Sequence, residues 1–145
     1  DEVRFLGRMQ SAAAVNADAT TLVFKNLPQK LTATQLTDVL NKLGFAGHYD
    51  LCFLAIDRQS GSCKGSAVVN FYASWWAATA CIKAFGYKLE DKRMVVSIAN
   101  TQGVTATLKE RERRAGMAKM MVHYWKGTSI EEMTVTQALE THMRA

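Results

Sequence analysis

The sequence predicts an α+β fold, a split β-α-β-β-α-β sandwich in which a four-stranded antiparallel sheet carries two helices on one face. Three observations predict it. Residues 64–71, Lys-Gly-Ser-Ala-Val-Val-Asn-Phe, read as a loop-to-strand junction in which Ala67, Val69 and Phe71 alternate onto one apolar face. Stretches of strand alternation and of helical spacing occur in the order strand, helix, two strands, helix, strand. Nearly half of the 145 residues are apolar, which suits one domain with a modest core rather than a disordered chain.

Each element has its own local justification. Residues 1–19 form an N-terminal extension, in which 11–15 suit a short helix and an ordered tail equally. Residues 20–27 are the first strand, with Leu22 and Phe24 on one face and Val23 and Lys25 on the other. Pro28, the only proline, ends it because it has no N–H for a ladder. Thr32-Ala33-Thr34-Gln35 is a capping box for the first helix. Leu36, Val39, Leu40 and Leu43 recur there at helical spacing, and Gly44 is its stop.

Residues 48–57 are the second strand. Its two interleaved apolar sets are Tyr49, Leu51, Phe53 and Ala55 against Cys52, Leu54 and Ile56, so alternation alone does not say which set faces out. A polar hairpin at 58–63 leads into the third strand. The second helix starts near Ser74 and offers a smooth face of Ala77, Ala80, Cys81 and Ala84. A basic loop at 87–93 precedes the last strand, 94–100. Gly103 divides a central domain, 20–103, from a C-terminal helical extension, 104–145. In that extension one helix is expected over 107–126 and another over 129–144, the latter opened by the capping box Ser129-Ile130-Glu131-Glu132.

Bulk properties exclude some function classes. The net charge of +5 suits a polyanionic partner. Three cysteines without a CxxC pair make a disulfide framework or a zinc site unexpected, and a reducing intracellular compartment is expected, nucleus or cytoplasm before an organelle. Cys52 and Cys81 suit the core and Cys63 a loop. No apolar run is long enough to span a bilayer. The chain does not begin with Met, which fits a processed form or a fragment. The three histidines are scattered, with no HExxH spacing, no phosphate-cradling glycine loop and no nucleophile with an evident base, so no catalytic residue, metal, cofactor or small-molecule substrate is implied.

The 64–71 stretch resembles the octamer of RNA recognition motif (RRM) domains, at Lys64, Gly65, Ala67, Val69 and Phe71. Within that superfamily the chain resembles the C-terminal RRM of Mei2-like proteins. The carriers are Leu22-Val23-Phe24-Lys25-Asn26-Leu27-Pro28-Gln29-Lys30-Leu31-Thr32, Tyr49-Asp50 through Ile56-Asp57, Gly65-x-Ala67-x-Val69-Asn70, Ser97-Ile98-Ala99 and Thr101-Gln102-Gly103. The resemblance covers about residues 20–105 and implies a ferredoxin-like sandwich whose open sheet face holds single-stranded or loop RNA. Beside this resemblance, the candidate RNA-binding residues are Lys25, Asn26, Phe53, Lys64, Ser66, Val68, Asn70 and Arg93. Ser66 and Val68 depart from it, because aromatics that stack on bases are expected there. Two lost platforms remove roughly 2–6 kcal/mol of stacking.

Three points stay open on the residues alone. Phe53 and Tyr49 either replace the missing platforms or pack in the core. Asn70 either reads a base edge or ties strands together. The apolar end of the extension, Met117, Met120, Met121, Tyr124 and Trp125, either packs on the domain or binds a protein partner. The rival to an RNA-binding module is accordingly a non-catalytic interaction or structural component of a ribonucleoprotein assembly.

Overall fold

The computed structural model describes residues 18–114, 116–126 and 129–144. The helix or tail expected at 11–15 lies outside them. In chain order the elements are β1 Thr21–Lys25, α1 Ala33–Leu40, β2 Tyr49–Ile56, β3 Cys63–Phe71, α2 Ser74–Ala84, the short β4 Lys88–Leu89 and β5 Lys92–Arg93, and β6 Val95–Ile98. The extension adds α3 Val104–Arg113, β7 Met121–Lys126, β8 Ser129–Thr134 and α4 Val135–Arg144.

The expected βαββαβ unit is present. Its α1 begins with the capping box read from the sequence: Gln35 N donates to Thr32 Oγ1 (3.1 Å) and Thr32 N to Gln35 Oε1 (3.0 Å). The helix ends through a widened turn, Asn41–Phe45, in which Gly44 takes φ +99°. Leu36, Leu40 and Phe45 from this segment meet Leu22, Phe24, Ala67, Val69 and Phe71 of the sheet and the smooth face of α2 in one apolar core. Cys63 belongs to β3 and is buried, not a loop thiol, and the expected basic loop forms the β4–β5 hairpin.

Among the described residues the sheet has six strands, in the order β6-β1-β3-β2-β7-β8. The two extra strands come from a region read as helical, which corrects the expectation for 107–126. The helix stops at Arg113, and Gly116 turns the chain with φ +74°, in the left-handed region. Beyond the turn the side-chain period is two: Val122 and Tyr124 are buried, whereas Met121 is exposed. The run Val122-His123-Tyr124-Trp125 is β-branched and aromatic, which suits a pleated surface. The capping box expected at Ser129 is likewise replaced by a strand. The real one lies five residues later, where Gln137 N donates to Thr134 Oγ1 (3.1 Å) and Thr134 N to Gln137 Oε1 (3.0 Å).

The second face of the sheet is not open. Leu51, Phe53 and Val68 join Val104 and Leu108 of α3, Val122 and Tyr124 of β7, and Val135, Ala138 and Leu139 of α4 in a second core. The molecule is therefore a sheet between two helical layers, the second supplied by its own extension. A bulge at Asp50 explains how β2 serves both. Tyr49 pairs with Phe71 but Leu51 pairs with Asn70, so one residue is extra and the alternation resets. Tyr49 consequently packs in the first core and Phe53 in the second, and the single set Tyr49, Leu51, Phe53, Ala55 is corrected.

Candidate nucleic-acid interface

The registers gather the expected cations at one end of the sheet. Lys25 lies opposite Ser66 of β3 and opposite Val95 of β6. Lys64 of β3 and Arg93 of β5 stand two residues outside those partners, so β1, β3 and the β4–β5 hairpin each bring an exposed cation to the same rim. Asn26 fastens that rim rather than reaching outward. It adopts φ +61°, a conformation Asn tolerates better than most residues, and its Nδ2 donates to Arg93 O (2.9 Å). Arg93 Nη1 in turn donates to Gly86 O (3.0 Å), and Leu27 N to Gly65 O (3.0 Å).

At the opposite end Asn70 ties strands together. It is only 5% exposed. The hydroxyls of Thr20 and Thr21 donate to its Oδ1 (2.8 and 2.7 Å), and its Nδ2 donates to Asp50 Oδ1 (2.8 Å). Burial raises the Asp50 pKa, opposed by the Asn70 hydrogen bond. Gln102 completes this knot. It accepts from the N–H groups of Thr20 and Thr21 (2.9 Å each) and donates to Thr21 O (2.9 Å) and Ala99 O (2.8 Å). An amide with every group engaged has no edge left for a base.

Phe53 and Val68 lie under α3. The Arg111 guanidinium carbon stands 5.2 Å from the centre of the Phe53 ring, a cation–π contact that takes the place a base would need. Burial, and then the nearby Arg114, lowers the Arg111 pKa. Beside this contact α3 and the sheet enclose a pocket of about 180 Å³, with Val23 and Val68 as its floor and Thr107, Glu110, Arg111 and Arg114 on its wall. One water needs only roughly 10–15 Å³, so the space exceeds that of a single water. Thr107 Oγ1 is buried and has no hydrogen-bond partner among the described residues. Glu110 accepts from Thr101 Oγ1 and is bridged by Arg114 Nη2 at 2.6 Å. The Thr101 hydrogen bond, with the arginine charges, lowers its pKa.

Sequence reasoning singled out neither Thr107 nor Arg111, both inside the helix expected over 107–126. The available signal was the spacing of Val104, Thr107, Leu108 and Arg111, one helical stripe that starts apolar and ends in guanidinium.

The expected protein-binding set divides. Met117 and Met120 pack against the second core and Tyr124 is inside it, its hydroxyl 2.8 Å from His142 Nδ1. Met121 stays exposed, and Trp125, odd in register with Tyr124, is half-buried on the other face. All three cysteines are buried and free; burial pushes the Cys52 thiol up to about 12 and Cys81 to about 11. Among the described residues no group of three or more His, Cys, Asp or Glu is placed to hold a metal ion, and no helix is long and apolar enough to cross a membrane.

These features define an RRM-like sandwich with a self-covered sheet and a cationic rim. Solved structures agree on the fold. The RRM of RNA15 matches with a TM-score of 0.52 and 21% identity over 57% of this chain and 91% of that one. The Rna15 RRM with bound RNA (GU) matches at 0.54 and 19%, over 65% and 97%. The Sex-lethal RNA recognition domains 1 and 2 of Drosophila melanogaster match at 0.50 and 27%, over 56% and 50%. The fold is that of RRM domains, with additional C-terminal elements. No family model matches the chain. Among curated proteins, the G subunits of eukaryotic translation initiation factor 3 from Culex quinquefasciatus and Aedes aegypti are each 36% identical over 63 residues, 43% of this chain and 22% of theirs. The chain thus spans about a fifth of the curated relatives it matches.

Proposed function

We propose that this chain is a non-catalytic RNA-binding module that holds single-stranded or loop RNA at the rim formed by Lys25, Lys64 and Arg93 and along the strip beside α3. The observation that carries this reading is the convergence of three exposed cations, from β1, β3 and the β4–β5 hairpin, at one end of the sheet on an RRM fold. Two of the similar solved structures, the Rna15 RRM with bound RNA and the Sex-lethal protein–RNA complex, hold RNA. With Ser66 and Val68 where aromatics would stack, and Phe53 covered, affinity comes mainly from phosphate contacts, which position a strand without specifying its sequence. The guanidinium planes of Arg111 and Arg114 supply the remaining surface on which a base can lie.

The Mei2-like affiliation is supported by the spaced residues alone: 22–32, 49–57, 65–70, 97–99 and Thr101-Gln102-Gly103. The curated relatives belong to translation initiation factor 3, which favours a cytoplasmic ribonucleoprotein as the setting. A second reading, a structural component that keeps the fold without RNA contact, is favoured by the burial of Phe53 and Val68 under the chain's own helices.

Fluorescence anisotropy of a labelled single-stranded RNA across a salt series separates the two. Single-strand binding loses roughly 0.7 in the slope of log K against log salt for each phosphate contact removed. Replacing Lys25, Lys64 and Arg93 together by Ala is expected to abolish most binding and to flatten the slope by about 2. A wild-type chain that binds no RNA even at low salt would leave only the structural reading.

A further inference from the structure

We propose that the pocket beside α3 is a phosphate-binding site, in which Arg111 and Arg114 hold one phosphate group. This inference rests on the RNA-binding reading above and deepens it. It gives the strip beside α3 a recessed anion contact in addition to the exposed cations of the rim.

Arg111 is the group that calls for a ligand. Its guanidinium lies over the Phe53 ring, which meets one face of the plane and leaves the N–H edges unused. Among the described residues those N–H groups donate to no acceptor, and the charge has no carboxylate partner. Burial, and then Arg114, holds its pKa down. That is the direction expected of a cation without a counter-ion, and a bound anion opposes it. Thr107, one turn earlier on the same helix, lines the same pocket, and its buried hydroxyl also has no partner among the described residues. One wall of the pocket therefore carries two donors that the chain itself does not meet.

Charge selects an anion. Two guanidinium groups, Arg111 and Arg114, line the pocket against one carboxylate, Glu110. Glu110 is already engaged, by Thr101 Oγ1 and by Arg114 Nη2 at 2.6 Å, so the excess positive charge sits at Arg111. The pocket's volume of about 180 Å³ is more than ten times the roughly 10–15 Å³ that one water needs, which leaves room for a compact anion of phosphate size. A carboxylate is matched by a single planar fork. Two guanidinium groups and a hydroxyl approach from several directions, which suits the tetrahedral oxygens of a phosphate.

The course of α3 joins this pocket to the rim. At its start Gly103 N donates to Thr21 Oγ1 (2.7 Å), beside the Asn70 knot. Just past its end Gly116 lies against the β2–β3 hairpin, where a Cβ would stand 1.6 Å from Arg58 Nη1. That hairpin leads directly into β3 and Lys64. The helix thus crosses the sheet from the knot toward the rim, with Arg111 and Arg114 at its far end.

The test uses the full chain and four probes: inorganic phosphate, a 5-nucleotide oligouridine with a 5′-hydroxyl, its 5′-phosphorylated form, and polyglutamate as a carboxylate control. Affinities are measured by calorimetry at low salt. Arg111→Gln is expected to weaken phosphate, and the strand that supplies it, about ten- to hundredfold, the loss of hydrogen bonds to a charged group. Arg111→Lys, which keeps the charge without the fork, is expected to lose less. Dependence on Arg111 confined to the 5′-phosphorylated strand assigns a terminal phosphate to the pocket, and equal dependence for both strands assigns an internal one. Unchanged phosphate and oligouridine affinities in Arg111→Gln overturn the pocket while the RNA reading stands, provided the triple rim variant still loses RNA. Arg111-dependent phosphate binding without affinity for either strand keeps the pocket and overturns the RNA reading. Binding of no probe overturns both. Polyglutamate binding that depends on Arg111, with phosphate affinity unaffected, overturns the pocket in favour of an acidic peptide. Urea midpoints check that the variants fold; if Arg111→Gln falls short, Arg111→Lys and Arg114→Gln carry the comparison.

Discussion

Gly65 takes φ +96° and leaves its Cβ direction open, with only Leu27 O at 3.7 Å. The backbone angle, rather than space, therefore demands glycine, since the left-handed region costs an L-residue roughly 1–2 kcal/mol. Gly65→Ala is expected to lower unfolding free energy by about that amount in urea. An unchanged midpoint would mean that the loop relaxes to another geometry. Thr107 gives the opposite sign. Its buried hydroxyl has no partner among the described residues, and such a group costs about 1–3 kcal/mol. Thr107→Val, nearly the same shape, is expected to raise the urea midpoint by about 1 kcal/mol equivalent. At this scale much was legible. Ala67, Val69 and Phe71 face the core as their alternation assigns, and Gly65 supplies the positive φ at the start of the strand. Asn70 was not legible, because its identity allows a base contact and a strand tie equally. Only Thr20, Thr21 and Asp50 around it decide for the tie.

The elements of the central unit were readable because each has a period and punctuation: Pro28 after β1, the Thr32–Gln35 box before α1, the small-residue face of α2. The extension was not, for a physical reason. Its helix α3 and strand β7 join without a proline, and the bulk of Met117 to Trp125 invited a count of apolar residues instead of a test of their period. The alternation of buried Val122 and Tyr124 with exposed Met121 was present in the sequence, as was the Thr134–Gln137 box. What the sequence lacks is any local sign that β7 pairs with β2, since the pairing Leu51–Tyr124 and Cys52–His123 joins residues far apart in the chain. The cover this creates is tested at Leu108, which is fully buried where α3 meets Phe53 and Val68. Leu108→Ala is expected to cost about 2–4 kcal/mol, measured by urea unfolding. A loss well below 1 kcal/mol would mean that α3 is only loosely seated on the sheet.

For the whole molecule, two carboxylates respond to acid in opposite senses. Glu110 latches α3 to the segment after β6 through Thr101, pairs with Arg114 one turn further along its own helix, and has a folded pKa below the ordinary 4.5. A carboxyl with a depressed folded pKa binds fewer protons folded than unfolded, so its stabilisation is full above 4.5 and is lost as pH falls through the folded value. Asp50 is the reverse. Burial raises its pKa above 3.8, so ionising it is harder folded than unfolded, and its contribution declines as pH rises from 3.8 through the raised value. Glu110→Gln should therefore be less stable than the parent at neutral pH, with the gap closing as pH falls below the folded Glu110 pKa. Asp50→Asn still presents an oxygen to the Asn70 amide. It should match the parent at the acid end and gain on it as pH rises. Urea midpoints for the three chains, taken from about pH 3 to pH 7, check both slopes at once. Parallel profiles for Glu110→Gln and parent would show that the latch is solvent-screened and that α3 is held by Val104 and Leu108 alone. A gap for Asp50→Asn that shrinks with rising pH would reverse the role assigned to burial at the Asn70 knot.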